Sequence, residues 1–166
     1  MTAEDLRIEL HESRERLFSA ISGLSEEQFR FTPEPEAWNI AAHLGHLLRV
    51  ERTFAERAHR ALREDEPYCP SAAALNDDDP ALAQRLAVPQ MIHGMQAVRR
   101  ELNAVLDGGE AGLSRAINHE TRGRLTVEEI VKKMATHERE HTDSISELAR
   151  QAASARRVTI PLTRRS

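Results

Sequence analysis

The spacing of apolar residues constrains the fold of this chain more than any other feature. Leucine, isoleucine, valine and methionine recur three or four residues apart in four separate stretches. This is the pattern of a helix that buries one face. We predict these helices at about residues 3–22, 40–62, 89–106 and 127–148.

Local signals support the predicted helix ends. Asn39 can cap the second helix, Pro89 suits a first helical turn, and Thr126 with Glu129 forms a capping box before the fourth helix. The long connection between the second and third helices reads as a loop over residues 64–80 with an acidic, solvated tip at residues 77–79. A short helical piece at residues 80–88 follows it.

Composition narrows the class of protein. At 166 residues the chain has the length of one domain, and its formal net charge of −4 argues against a nucleic-acid partner. No apolar run is long enough to span a membrane, and the acidic N-terminus lacks the apolar segment of a signal peptide. A single cysteine, Cys69, rules out an internal disulfide. We therefore expect a cytoplasmic protein that binds neither nucleic acid nor membrane.

Four amphipathic helices of about 20 residues predict an all-α, antiparallel four-helix bundle. Only residues 157–162 alternate like a β-strand for more than a few positions. The predicted bundle occupies residues 1–155, and residues 156–166 form a C-terminal tail. Alanine-rich helix faces and this tail would suit a homodimer.

The chain has eight histidines, and two of them form a pair with the spacing of metal ligands. His137 and His141 lie one turn apart on the apolar face of the fourth helix, so their rings can converge on one point. The second helix offers two further candidates. His43 falls within its apolar arc and His46 on the flank of that arc, and helical periodicity does not decide which is the third ligand. We expect His11, His59 and His119 to be solvated, and His93 to lie at the surface.

Two acidic residues lie where a carboxylate is costly. Glu51 and Glu138 fall near the centres of the apolar arcs of the second and fourth helices. Either residue could orient a metal-bound histidine or accept a proton. The alternative is an ion pair with an inward-facing arginine such as Arg14. The sequence leaves these two interpretations open.

The segment from His137 to His141 also matches the H-E-x-x-H pattern of zinc proteases, in which the glutamate is the general base. Such proteases take a third ligand from further along the chain, where only Asp143 and Glu147 are available here. No predicted sheet would align a peptide substrate. The protease interpretation is therefore weak.

Two half-motifs together resemble a known family. Trp38-Asn39-Ile40-Ala41-Ala42-His43-Leu44-Gly45-His46-Leu47, continuing to Glu51, is similar to the first signature of DinB/YfiT-like proteins. The pair His137 and His141, with Glu138 between them, is similar to the second. The resemblance extends over about residues 3–152. It implies a four-helix bundle with His46, His137 and His141 as metal ligands, and it leaves His43 beside the site.

The resemblance also implies a function. Members of the family are expected to bind a divalent transition metal ion, commonly zinc or nickel, at three histidines with open positions. The better-understood branches use low-molecular-weight thiols such as bacillithiol or mycothiol. We therefore expect a metal-dependent S-transferase or a related stress or detoxification enzyme that acts on a small molecule, with Glu138 or Glu51 as catalytic residues. The alternatives are a non-catalytic, stress-related binding bundle and an H-E-x-x-H hydrolase.

Overall fold

Four long helices form the body of the protein. The computed structural model describes residues 1–71 and 86–158. Its helices are α1 (Ala3–Ile21), α2 (Glu26–Arg30), α3 (Ile40–Arg63), α4 (Val88–Val105), α5 (Gly109–Leu113) and α6 (Val127–Val158), with a 3₁₀ turn at Leu106–Gly108. The predicted all-α four-helix bundle is confirmed by α1, α3, α4 and α6. Within the described residues, no helix combines the length and apolar content needed to cross a bilayer.

The predicted caps are present. The Asn39 side chain accepts a hydrogen bond from the Ala42 amide, 2.8 Å away, and Pro89 lies in the first turn of α4. Thr126 Oγ1 accepts from the Glu129 amide at 3.2 Å, while the Glu129 carboxylate accepts from the Thr126 amide at 2.8 Å. These caps satisfy amide groups that a helix leaves unpaired at its N-terminus, so they fix where α3 and α6 begin.

The contacts between helices give their relative directions. Ser13 contacts Glu138 and Arg16 contacts Asp143, so α1 and α6 run the same way. Along α3 and α4, Leu48 contacts Gly94 and His59 contacts Glu101, so this pair is parallel as well. A Cβ at position 94 would lie 3.1 Å from Leu48 side-chain carbons, and glycine therefore lets these two helices approach closely.

The two parallel pairs are antiparallel to each other. His43 faces His141 and His46 faces His137 between α3 and α6, so residue numbers rise on one helix as they fall on the other. Residues 64–87 connect α3 to α4, and this connection is long enough for the two helices to lie side by side and parallel. The acidic tip at residues 77–79 and most of the predicted short helix, residues 80–85, lie outside the described residues. The described end of that segment is not helical at Leu86 and Ala87, and Val88 begins α4.

A small sheet of short strands accompanies the helical bundle. Strand β1 (Tyr68–Cys69) pairs in parallel with β2 (Ala116–His119), which pairs antiparallel with β3 (Gly123–Thr126). The sequence shows no alternation here because the strands have only two to four residues, too few for a period of two to stand out. Gly123 has φ +68°, which suits the tight turn between β2 and β3.

Leucine, methionine, isoleucine, valine and alanine side chains from all four long helices make up most of the core. Leu10, Leu44, Met95 and Met134 are fully buried, one from each helix. The predicted boundary between bundle and tail, at residue 155, falls within α6. Because residues 159–166 lie outside the described part of the chain, that boundary stays a prediction.

Candidate metal centre

Three histidine side chains from two helices converge between α3 and α6. Nε2 of His46 lies 3.3 Å from Nε2 of His137, which lies 3.1 Å from Nε2 of His141. One ligand nitrogen from each of these residues lies within 4.8 Å of the others. The three rings are half-buried. The structure thus brings together the three residues that the resemblance implies as metal ligands.

These distances fit a metal ion. With Zn–N bonds of about 2.0–2.1 Å, two ligand nitrogens on one ion lie roughly 2.9–3.4 Å apart, depending on the coordination geometry. His137 Nε2 takes part in both contacts, and a ring nitrogen of an uncharged imidazole forms only one hydrogen bond, so hydrogen bonding can satisfy at most one of the two contacts. The observed separations of 3.1 and 3.3 Å fall within the range for an ion, and an ion would accept a lone pair from each nitrogen.

The surroundings of His137 and His141 keep these two rings uncharged at neutral pH. Burial lowers the pKa of His137 to about 4, helped by the charges that His141 and His46 would carry. Burial together with His46 lowers the pKa of His141 to about 4 as well. A neutral imidazole offers a lone pair, which a metal ligand needs. The site therefore presents lone pairs at pH 7 without any change in protonation.

His43 also belongs to the site. Its Nδ1 lies 2.7 Å from Nδ1 of His141, a hydrogen-bond distance. When His141 uses Nε2 as its ligand atom, its Nδ1 carries the hydrogen and donates it to His43, which fixes the ring. His137 Nδ1, in contrast, is buried and has no hydrogen-bond partner among the described residues. The helical wheel placed His43 inside the apolar arc, and packing turns it towards His141.

Trp38 covers the cluster from the loop before α3. Its ring centroid lies 5.3 Å from that of His43, 5.2 Å from that of His46 and 6.2 Å from that of His141. Because the indole is still partly exposed, it borders the site without closing it. The sequence offered Trp38 as part of a family signature but gave no sign of this contact.

Glu51 and Glu138 are fully buried and take part in a four-residue ion network with Arg14 and Arg99. Arg14 donates from Nη2 to Glu51 at 2.6 Å and from Nε to Glu138 at 2.7 Å. Arg99 donates from Nη2 to Glu138 at 2.8 Å and from Nε to Glu51. Ser13 also donates to Glu138. The ion pair with Arg14 is the alternative that the sequence left open, and Arg99 is a partner that it did not suggest.

These contacts hold Glu138 ionised. Burial acts to raise its pKa, but the guanidinium groups of Arg99 and Arg14 and the hydrogen bond from Ser13 outweigh it, so the pKa lies below its usual value. No hydrogen bond joins Glu138 or Glu51 to a histidine within the described residues. The predicted catalytic role of the two glutamates stays a prediction.

The other predicted positions have mixed outcomes. His11 and His93 are exposed, as expected. His119, expected to be solvated, is only 6% exposed, because β2 packs it between β1 and β3. The downstream acids that an H-E-x-x-H protease would need are engaged elsewhere, since Asp143 pairs with Arg16 and Glu147 with Arg150.

Comparison with known sequences identifies the family. The sequence profile of the DinB superfamily matches residues 9–145, most of the chain. The chain belongs to the DinB superfamily. The resemblance seen in the two half-motifs is thereby confirmed.

One curated sequence and one solved structure are similar to this member of the DinB superfamily. The uncharacterized protein YuaE of Bacillus subtilis (strain 168) is 24% identical to it, over 83% of this chain and 93% of YuaE. Among solved structures, YfiT from Bacillus subtilis is described as a probable metal-dependent hydrolase with an unusual four-helix bundle topology. It is similar with a TM-score of 0.75 and 19% identity, covering 91% of this chain and 87% of YfiT. The match to YfiT shows the same fold, and the three-histidine cluster fits a divalent metal ion.

Proposed function

We propose that this protein is a metal-dependent enzyme that holds a divalent transition metal ion at His46, His137 and His141 and acts on a small molecule. The convergence of three Nε2 atoms at metal-ligand spacing supports the proposal. Three protein ligands leave at least one coordination position for a substrate, which is typical of catalytic rather than structural metal sites. Zinc and nickel both accept such ligands.

When bound, such an ion supplies Lewis acidity, which lowers the pKa of a coordinated thiol or water towards neutrality. The protein supplies the rest of the site. His43 fixes the ring of His141 through the Nδ1–Nδ1 hydrogen bond, and Trp38 limits access of solvent to the histidines. The Arg14, Glu51, Arg99 and Glu138 network ties α1, α3, α4 and α6 together beside the ligands. We propose that Glu51 and Glu138 position the ligand helices through this network.

The reaction that we propose is transfer of a low-molecular-weight thiol of the bacillithiol or mycothiol type. Its support is the resemblance of the two half-motifs to a family whose better-understood branches use such thiols. Metal-dependent hydrolysis is the second candidate, because YfiT, which shares the fold, is described as a probable metal-dependent hydrolase. Supplying the metal-loaded protein with electrophiles in the presence and absence of each thiol separates the two reactions, since only transfer consumes the thiol.

Metal analysis tests the site itself. We expect about one zinc or nickel ion per chain in the untagged wild-type protein, and loss of that ion in His46→Ala and His137→Ala. His93→Ala is the matched control, because it removes an exposed histidine from α4 and leaves the cluster intact. Wild-type protein that takes up no ion after incubation with zinc and nickel would contradict the proposal and favour a non-catalytic binding bundle.

The role of the glutamates needs a separate test. Glu51→Gln and Glu138→Gln each leave the side-chain volume almost unchanged but remove one buried charge. If both residues position helices, turnover per folded, metal-loaded molecule changes little and to a similar extent in the two variants. A selective loss of turnover in Glu138→Gln, with metal content and folding retained, would instead establish Glu138 as a catalytic residue.

The homodimer stays a prediction, which sedimentation analysis can test.

A further inference from the structure

A cavity of about 390 Å³ adjoins the histidine cluster. His46 and His137 contribute to its wall, and the rest is formed by the next turns of α3 and α6 and by the small sheet. Its volume is that of a pocket for a small molecule. Apolar side chains, including Phe54, Leu125 and Ile130, line much of it.

Leaving the histidines aside, every ionisable side chain that lines this cavity is an arginine or a lysine. They are Arg49, Arg57, Arg122 and Lys133, and no acidic residue is among the described residues of the wall. This is unusual for a chain with an overall charge of −4. Arg57 is buried and donates to the Pro70 carbonyl, which holds its guanidinium in place. Arg122 and Lys133 form no ion pair with any described residue, whereas the neighbouring Lys132 pairs with Glu128.

The basic groups act on one another electrostatically. His119, buried at the end of β2, has its pKa lowered by burial and then by the positive charges of Arg57 and Arg122. Burial and the charge of Arg122 lower the pKa of Lys133. Two acids act in the opposite sense. Glu120 raises the pKa of His119, and Glu140 raises the pKa of Lys133. The Glu120 carboxylate also accepts a hydrogen bond from the Ser71 amide. The positive charges outweigh these acids at both positions.

The positions of these basic groups along the helices indicate how far they lie from the histidines. Lys133 precedes His137 by one helical turn, about 6 Å along α6, and Arg57 follows His46 by three turns, roughly 16 Å along α3. Because α3 and α6 are antiparallel, both displacements lead away from the histidines in the same direction. The apolar residues Phe54 and Ile130 lie about 10–12 Å from the histidines along the same helices, between the levels of Lys133 and Arg57, so apolar surface flanks the basic groups.

We propose that this cavity binds the oxyanion group of the substrate, a carboxylate or a phosphate, between Lys133, Arg122 and Arg57, with the reacting end of the same molecule at the histidines. The proposal rests on the proposed function, because it names the class of substrate for that site. A substrate of this class carries an oxyanion group, a reactive group at a distance from it, and an apolar part that contacts Phe54 and Ile130. Charge-assisted hydrogen bonds to guanidinium and ammonium groups would hold the oxyanion group.

The two lysines of the chain offer a direct test. Lys132 and Lys133 are neighbours in sequence, but Lys132 pairs with Glu128 and does not line the cavity. Reductive methylation with a carbon-13 label gives each lysine an NMR signal and keeps its charge. Inorganic phosphate, succinate and the uncharged succinamide would be titrated into the protein as purified and after removal of metal by a chelator. Sodium chloride holds the ionic strength constant.

We expect phosphate or succinate, but not succinamide, to shift the signal of Lys133 while that of Lys132 stays in place. The oxyanion with the higher affinity shows whether the site favours phosphate or carboxylate. In a parallel calorimetric titration, Lys133→Gln and Arg122→Gln should weaken binding about tenfold or more, whereas the matched control Lys132→Gln should not. Equal shifts of both lysines, or no shift with either anion, would overturn the proposal.

The same experiment separates this inference from the metal site. Binding at Lys133 that persists in metal-free protein and in His46→Ala supports the oxyanion site even if metal analysis fails. Conversely, Lys133→Gln that retains its metal but loses the anion shows that the two sites are distinct parts of one pocket. Anion binding that disappears with the metal would place the anion at the histidines and contradict the proposed position.

Discussion

Two polar clusters lie inside the same bundle and use consecutive residues of α6, yet they differ in how their polar groups are satisfied. Glu138 belongs to a network of two arginines and two glutamates, in which the charges balance and each carboxylate accepts from both guanidinium groups. His137 belongs to a histidine cluster in which ligand nitrogens face one another at 3.1–3.3 Å. In the first cluster, the charges are paired by residues of the chain itself, whereas in the second a bound cation would stabilise the facing nitrogens.

This difference is the basis for proposing a structural role for the first cluster and a binding role for the second. Buried polar groups are stable when partners in the protein satisfy them, and a cluster that needs an external partner is a candidate binding site. Glu138 occupies the general-base position of an H-E-x-x-H pattern, but its carboxylate lies in the balanced network. A sequence pattern therefore gives the residue types present, and the contacts decide which cluster each residue joins.

The largest effect should come from breaking the ion network. Arg99→Met removes one cation from between two buried carboxylates, and we expect it to lower the free energy of unfolding by about 3–5 kcal/mol. Adding Glu51→Gln to this variant removes one unpaired charge and should restore part of the loss. Urea denaturation of the two variants and the wild type measures both effects. A loss below about 1 kcal/mol in Arg99→Met would show that the network contributes little.

The histidine cluster should respond to metal instead. At free zinc or nickel a hundredfold above the dissociation constant, binding to the folded state adds about 2.7 kcal/mol of stability. For a chain of this length, that raises Tm by roughly 5–10 °C. The wild type and Arg99→Met should both show the increase, whereas His137→Ala should not. An equal increase in His137→Ala would indicate that the ion binds elsewhere.

Acid should affect the two clusters differently. The pKa values of His43, His137 and His141 are lowered to about 4 in the folded protein, from about 6.5 in an unfolded chain. Below pH 6.5 the unfolded chain therefore binds more protons, and the metal-free protein should lose stability as the pH falls from about 6.5 to about 4. The lowered pKa of Glu138 means that its contribution to stability begins to fall only below about pH 4.5, the usual pKa of a glutamic acid.

Denaturation of chelator-treated protein at several pH values measures this slope. The double variant His137→Gln/His141→Gln should show a shallower dependence, because it lacks two of the titrating rings. A wild-type stability that stays constant over the range would contradict the lowered pKa values.

The smallest effect should come from an ion pair at the surface of the same helix pair. Arg16 and Asp143 join α1 to α6, as the buried network does, but both side chains are more than half exposed. We expect Asp143→Asn to change the free energy of unfolding by about 0.5 kcal/mol or less, because water and salt screen exposed charges. A loss comparable to that of Arg99→Met would show that burial is not what distinguishes the two sets of ion pairs.

The sequence by itself determined the features that depend on neighbours along the chain. Helical periodicity predicted the four long helices, and the side chains of Asn39 and of Thr126 with Glu129 predicted where two of them begin. The spacing of His137 and His141 predicted a convergent pair. Each of these signals acts within one or two turns of a helix, where bonded geometry fixes the distance between residues.

Only the tertiary structure decided the features that depend on how helices pack. The wheel for α3 could not choose between His43 and His46, because the choice depends on the rotation of α3 against α6. In the fold, His43 faces Nδ1 of His141, and His46 faces Nε2 of His137. The short strands, the burial of His119 and the contact of Arg99 with both glutamates likewise join residues far apart in sequence. Such contacts depend on the register and direction of packed elements, which local spacing does not encode.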